Sequence, residues 1–422
     1  MRRRLLVAAA VLVVLLGAAA VAYVVSLKAA EGDVRGSSTE EFVTTDEQAV
    51  APEAPPTPGV FWPTYGFSNA RTRAVGYSHR PPYRTIWRFG ARTLVEFPPA
   101  IAYGRLYFAN NDGTVYAVNG KTGKRAWRYA TGRCAAASPA VSNHVVFFAF
   151  LSALPCSRGR GASRKESARL TGEVIAFASG FGRIRWRTTI GPTESSPLVA
   201  NGRVYVADWR GKVYALDERT GKVRWTFRTD NTVKGAVAVA GNRLYVGSYD
   251  HHVYALNAST GTLLWKAQAQ RRLGKRGTFY STPAAAYGRV YVGSTDGKVY
   301  SFGATTGKLR WSHDTGGYVY SSPAVWNRTV YAGSYDDKLY ALDAATGDVR
   351  WTFRGNGDIS GSPTVIDGVV YFATLKERTY ALDARTGKRL WSFPDGKYTP
   401  VVADDERLYL VGHARLYGMV QR

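Results

Sequence analysis

Four cations fall within six residues at Arg271, Arg272, Lys275 and Arg276. Guanidinium and ammonium groups clustered in this way recognise anions. A second basic stretch, Arg158, Arg160, Arg164, Lys165 and Arg169, follows Cys156. Such runs form either a solvated face or a docking site for an anionic partner. Acid–base and metal chemistry find less material. Glu96, Glu194, Asp230, Asp314, Asp358 and Asp395 each stand alone in their segments, and single loop carboxylates ordinarily form turns. His251 and His252 are adjacent, but no third or fourth ligand recurs nearby, so no metal site is expected. The sequence contains no Gly-x-Ser-x-Gly, no phosphate loop and no His-Glu-x-x-His. No catalytic or cofactor-binding residue is assigned, and Arg271, Arg272, Lys275 and Arg276 are the candidate partner-binding group.

The elements that must carry these residues are read from eight tryptophans: Trp87, Trp127, Trp186, Trp225, Trp265, Trp311, Trp351 and Trp391. Successive gaps are 40, 59, 39, 40, 46, 40 and 40 residues. A period near 40 means four-strand propeller blades or helical pairs. Residues 322–351, SPAVWNRTVYAGSYDDKLYALDAATGDVRW, break into short Val- and Tyr-rich bursts between turns, which predicts strands. Gly123, Gly221, Gly261, Gly307, Gly347 and Gly387 each follow a Thr and precede a Trp by four residues. Each is expected to join a third strand to a fourth, with Asp217, Asp343 and Asp383 bonding the turn backbone. The indole rings are expected to fill the wedges between blades, as structural rather than chemical groups.

The first Trp, in RTIWRFG, has no blade before it, and the stretch 399–417 has strands but neither Thr-Gly turn nor Trp. Together they complete one unit. The expectation is an all-β, eight-bladed propeller of four-stranded blades over 83–422, closed by the strand around Trp87.

The pattern from Ala341 through Asp343, Thr346 and Gly347 to Trp351 resembles the repeat of pyrroloquinoline-quinone-type β-propellers. Trp62-Pro63-Thr64-Tyr65-Gly66, followed by Arg71 and Arg73, resembles the segment before the first blade in that group. The resemblance covers 340 of the 422 residues. That superfamily holds quinone-dependent dehydrogenases and non-catalytic scaffolds, such as the propeller lipoprotein of the outer-membrane β-barrel assembly machine. The dehydrogenases imply a carboxylate base and Glu, Asn and Asp oxygens holding calcium against the quinone. Many carry a disulfide between adjacent cysteines, whereas Cys134 and Cys156 lie 22 positions apart here. The matching constellation is missing, so the non-catalytic branch is expected, with no cofactor. A quinone- and calcium-dependent oxidoreductase is the alternative.

Arg2, Arg3 and Arg4 precede an uncharged run over 5–27, long enough to span a bilayer with the N-terminus cytoplasmic. The rival reading is a signal peptide cleaved near Ala18-Ala19-Ala20. Either exports the propeller. The expected organisation is an anchor over 1–27, a disordered Pro/Ala/Glu-rich stalk over 28–60, a pre-propeller segment over 61–82 and the propeller. In an exported domain, Cys134 and Cys156 flanking an irregular insertion read as a disulfide; two separate thiols are the other reading. Of the net charge of +25, three positive charges fall on 1–27, and 28–60 carries two basic against seven acidic residues, leaving +27 on 61–422. Such a domain is drawn to polyanions. The expected function is a membrane-anchored extracytoplasmic scaffold or binding module, for an envelope protein or an anionic cell-surface polymer, and not for nucleic acid.

Overall fold

The computed structural model describes residues 2–29, 32–44, 57–156, 170–272, 275–398 and 401–422. Eight antiparallel sheets follow one another in chain order, at 100–130, 140–190, 198–228, 238–268, 284–314, 324–354 and 364–393, with the eighth split between the two ends. We number them blades 1 to 8. First strands of neighbouring blades touch, so these ring the channel and the fourth strands lie outermost. In blade 8, Val401–Ala403, Leu408–Val411 and Arg415–Gln421 are completed by Tyr83–Gly90, in register from Tyr83 opposite Gln421 to Gly90 opposite Arg415. Trp87 sits 5.9 Å from the ring of Tyr409. The eight-bladed, four-stranded architecture is therefore present, and pairing the two chain ends in one sheet removes the open seam.

One contact repeats around the ring. Seven of the eight indole Nε1–H groups donate to a turn carbonyl of the following blade: Trp87 to Gly120, Trp127 to Ser179, Trp186 to Glu218, Trp225 to Ala258, Trp265 to Ala304, Trp311 to Ala344 and Trp351 to Ala384, at 2.9–3.1 Å. The ring then lies flat on the glycine three residues further on. At Gly347 φ is +80°, and a Cβ would stand 2.9 Å from the Trp311 ring, so the position needs glycine twice over. The Asp343 carboxylate accepts from the Ala345 and Thr346 amides at 2.8 and 3.0 Å, holding that turn. Blade 2 uses Phe181-Gly182 in place of Thr-Gly, with Gly182 on Trp127. Trp391 faces blade 8, which has no such turn, and packs edge-on against Tyr83 at 5.5 Å. Gly347→Ala should destabilise by more than about 1 kcal/mol, read as a lower urea midpoint; an unchanged midpoint would contradict this account of the turn.

The pre-propeller segment fills the channel. Val60–Trp62 pairs with the first strand of blade 1, and Ala74–Val75 runs parallel to the first strand of blade 7. Between them, carbonyls of Pro63, Asn69, Ala70, Thr72 and Arg73 accept from Val141, Val239, Ala285, Val325 and Val365, the first-strand amides of blades 2, 4, 5, 6 and 7. Backbone amides that no neighbouring strand could reach are thereby bonded.

Residues 32–44 differ from the expected disordered stalk: they lie as a strap in the cleft between blades 5 and 6. Val34 and Ser312 form a β-bridge along the outermost strand of blade 5. Glu40 and Glu41 pair with Arg310, the buried Arg289 donates to the carbonyls of Ser37, Glu40 and Glu41, and Phe42 stacks on Tyr287 at 5.3 Å. The strap is poor in large apolar groups, as read, but its acidic pair meets guanidiniums far away in sequence, which composition does not reveal. Gly36 lies against the Trp311 ring, which explains why that indole is 0% exposed while its equivalents keep some solvent contact.

Arg2–Ala29 is helical. Its described side chains, 11–24, are exposed throughout. They cover about 21 Å of helix against the roughly 30 Å of a bilayer core, and among the described residues no helix is long and apolar enough to cross a membrane. The transmembrane span expected over 5–27 is therefore not found among the described residues. Cys134 and Cys156 form a disulfide with Cα atoms 5.4 Å apart. The basic residues Arg158, Arg160, Arg164, Lys165 and Arg169 lie outside the described residues.

Candidate functional site at the channel mouth

Just before the first strands of blades 2, 3, 5, 6 and 7 the chain carries a Ser/Thr-Pro step: Ser138-Pro139, Ser196-Pro197, Thr282-Pro283, Ser322-Pro323 and Ser362-Pro363; blade 4 has Ala236-Val237 there. Their hydroxyls link the blades. Ser196 Oγ accepts from the Ser138 amide, Thr282 Oγ1 from Ala236, Ser322 Oγ from Thr282 and Ser362 Oγ from Ser322, all at 2.9–3.0 Å. The result is a rigid hydroxyl collar. Two residues before the collar position, each repeat aims a side chain into the mouth: Glu194, Lys234, Tyr280 and Tyr320 in blades 3 to 6. This position varies while the collar behind it continues from blade to blade, which is how a scaffold displays a binding surface.

Lys234 Nζ stands 3.6 Å from Glu194 Oε2 and 4.8 Å over the Trp209 ring. Tyr249, Tyr280, Tyr320, Tyr335 and Tyr318 continue the lining as a row of rings, each 5.1–6.4 Å from the next. Tyr318 is 53% exposed at the outer end. Burial pushes the hydroxyls of Tyr249 and Tyr280 up, with Glu194 adding to both, so they stay protonated donors at neutral pH. Burial also raises the Glu194 carboxyl, against the pull of Lys234. A carboxyl raised in the folded state binds more protons there than when unfolded. Its contribution to stability therefore falls as pH rises from the unfolded carboxylate range through the raised value. Glu194→Gln removes that falling contribution, so stability should rise more steeply with pH across the carboxylate range than in the parent; an identical slope in the variant would contradict this placement.

Beneath the mouth lies a buried cationic plug. Arg71 is 0% and Arg73 2% exposed, and φ is +62° and +58° at the two residues. Arg71 donates from Nε to Val237 O at 2.9 Å and from Nη1 to Thr64 Oγ1 at 2.8 Å and to Tyr65 O, with longer bonds to the carbonyls of Ser196 and Pro197. The Arg73 guanidinium lies 4.0 Å over the Tyr65 ring, whose hydroxyl bonds Ser362 in the collar at 3.0 Å. Burial, with the charge of Arg73, lowers Arg71 to about 9, and burial lowers Arg73 as well.

The candidate basic group falls on the same face. Arg271–Arg272 and Lys275–Arg276 pair as a short antiparallel hairpin between blades 4 and 5. Arg271 is exposed and Arg276 donates to Ala269 O; the side chains of Arg272 and Lys275 lie outside the described residues. Of the six single carboxylates only Glu96 and Glu194 reach the mouth. Asp395 accepts from Tyr417 and from the amides of Gly396 and His413, and the Asp314 amide donates to the strap's Asp33. His251 and His252 bond the backbone at Gly277 and Asp250. Sequence reasoning missed Lys234 and the tyrosine row. For Tyr280 and Tyr320 the signal was the residue two places before a Ser/Thr-Pro step; Lys234 stands at the equivalent place before Ala236-Val237, where that step is missing.

A quinone with calcium does not fit these residues. Calcium needs six to eight oxygens, roughly, several of them carboxylate, and among the described residues no group of three His, Cys, Asp or Glu could hold a metal. Glu194 is already paired with Lys234. The mouth encloses about 80 Å³, below the roughly 300 Å³ at which pockets for ring systems begin, and the plug closes the channel below it.

The chain matches the family described as outer membrane protein assembly factor BamB over residues 81–166, 170–318, 259–359 and 315–418. It is 28% identical over 134 residues to outer membrane protein assembly factor BamB of Burkholderia pseudomallei, covering 32% of this chain and 30% of that protein. It is also 28% identical over 136 residues to tetrathionate hydrolase of Acidithiobacillus ferrooxidans, covering 30% of this chain and 27% of that one. The chain thus spans less than a third of either relative. Among solved structures, BamB from Moraxella catarrhalis superposes with a TM-score of 0.65 at 17% identity, over 80% of this chain and all of that one. Quinohemoprotein alcohol dehydrogenase from Comamonas testosteroni does so at 0.69 and 15%, over 85% and 80%. These superpositions show the fold alone.

Proposed function

We propose that this chain, which belongs to the outer membrane protein assembly factor BamB family of propellers, is a non-catalytic scaffold whose channel mouth docks an envelope protein. The observation that carries the reading is the tyrosine row ending at the exposed Tyr318, set over a channel closed by Arg71 and Arg73. Tyrosine offers large amphipathic contact area at low cost in side-chain freedom, which suits protein recognition. The assembly role named for the family's relatives points to the same class of partner. The helix Arg2–Ala29, with Arg2, Arg3 and Arg4 at its start and apolar side chains exposed, is read as embedded in lipid, with the propeller outside the cytoplasm.

The test is capture of envelope proteins by the full-length chain, compared with Tyr318→Ala/Tyr335→Ala. Loss of a specific captured protein in the double variant, at unchanged thermal stability, is the expected result. The same capture set in both forms overturns the mouth as the docking surface. Calorimetric titration with the quinone and Ca²⁺ tests the oxidoreductase alternative: saturable tight binding would establish that alternative in place of the scaffold.

A further inference from the structure

We propose that the end of the channel opposite the mouth takes up an extended, uncharged peptide segment, which pairs with the first strand of blade 3. The pre-propeller segment bonds the first strands of blades 1, 2, 4, 5, 6 and 7 and passes over blade 3. The cause lies between Pro63 and Asn69. After the Pro63 carbonyl has bonded blade 2, the chain runs up to place Tyr65 in the lining of the mouth, and the next carbonyl to reach a first strand is that of Asn69, on blade 4. Val199 in blade 3 is the counterpart of Val141 and Val239: it stands opposite Val204 as they stand opposite Val146 and Leu244. At this rung the amide points away from the second strand and into the channel. There the amides of Val141 and Val239 donate to Pro63 and Asn69 at 2.7 and 2.8 Å. Among the described residues no carbonyl bonds the Val199 amide. Val199 also keeps solvent contact, whereas Val141 and Val239 are buried. The counterpart in blade 8, Val402, is buried and offers no such edge.

Val199 lines a cavity of about 780 Å³, within the range of roughly 300–1,000 Å³ that holds ligands. The buried Phe67 and Val239 lie below it, and the exposed side chains of Asn69 and Asn201 stand at its rim. Tyr103 braces that rim: its ring stacks on His144 at 4.0 Å and its hydroxyl accepts from the His144 amide at 3.1 Å. Among the described residues no Lys, Arg, Asp or Glu lines the cavity, on a chain of net charge +25. Such a lining offers nothing to compensate a charge taken out of water, and so selects neutral side chains. A peptide is favoured over other neutral ligands because both flanking blades already bond a peptide carbonyl at the same rung. Strand addition of this kind draws affinity from main-chain bonds and specificity from alternate side chains. The site and the tyrosine row lie at opposite ends of a channel closed by Arg71 and Arg73, so the proposal does not depend on docking at the mouth.

The test is amide hydrogen exchange on the full-length chain. In the free chain the Val199 amide should exchange at least about tenfold faster than those of Val141 and Val239; equal protection of the three overturns the open edge. An end-capped octapeptide alternating threonine and valine should slow Val199 saturably, by about tenfold at ten times its half-saturating concentration. The same peptide with lysine in place of threonine should bind at least about tenfold more weakly. Val199→Pro removes the donor and should abolish peptide binding at an unchanged urea midpoint, because that amide bonds no carbonyl in the free chain. Val239→Pro deletes a bonded amide and should lower the midpoint. Asn201→Glu, which puts a charge on the rim, should weaken peptide binding in a chain that keeps the Val199 amide. Exchange at Val199 unaffected by the peptide overturns the proposal, as does equal peptide affinity in a folded Val199→Pro chain. Slowing by maltohexaose but not by the peptide assigns the cavity to a sugar and overturns it. Slowing that grows with the concentration of the chain alone assigns the edge to a second copy, and overturns it too.

Discussion

Trp311→Ala should cost about 3–5 kcal/mol of stability, the largest loss of any tryptophan in the ring. The indole is fully buried, its Nε1–H bonds Ala344 O at 2.9 Å, and its ring carries Gly347 of blade 6 and Gly36 of the strap. Truncation leaves a cavity shared by two blades and the strap, which cannot collapse without moving one of them. Two readouts separate these losses. The urea midpoint should fall further than for Trp351→Ala, whose indole keeps some solvent contact. Trypsin should also cleave after Arg35 in the variant, since the strap loses its floor and the exposed pair of Arg35 with Asp348 is too weak to hold it alone. Equal midpoints for the two variants would show that the strap adds nothing to the packing of this wedge.

Arg71→Met should cost about 3 kcal/mol, because three buried carbonyls, on Tyr65, Ser196 and Val237, lose their donor at about 1 kcal/mol or more each. Two effects oppose. Methionine fills much of the arginine's volume and removes a like charge from beside Arg73, which stabilises. The orphaned carbonyls win, because Pro197 O alone among the backbone acceptors keeps another donor, the Thr64 hydroxyl at 3.1 Å. Arg71→Lys should recover only part of the loss, since an ammonium cannot fork between blades 3 and 4. A midpoint shift under about 1 kcal/mol for Met would mean that the channel segment holds without its guanidinium.

The ring itself was legible because its cause is local: a tryptophan and a glycine four residues earlier recur in seven copies, and Asp217, Asp343 and Asp383, or Asn119 and Asn257, bond the turn within a dozen residues of them. Blade 2 shows the limit. Phe181-Gly182 does the work of Thr-Gly there, and only the glycine is required by the ring of Trp127. The closing strand could be inferred from two incomplete units. The strap could not: Glu41 meets Arg310 and Arg35 meets Asp348 across 269 and 313 positions, and nothing near 28–60 signals that. The mouth was half visible. The basic hairpin stood out by charge, whereas Lys234 and Tyr320 matter only because one repeat position faces the channel; alignment on Ser/Thr-Pro would have exposed Tyr320, but the repeat of Lys234 has Ala236-Val237 in place of that step.

The scaffold reading is tested most directly by crosslinking in intact cells with a photoreactive residue at Tyr318, and separately at Lys121 on the opposite face. The account predicts a discrete product with an envelope protein from position 318 and none from 121. Products from 121 alone, or the same products from both, would contradict it.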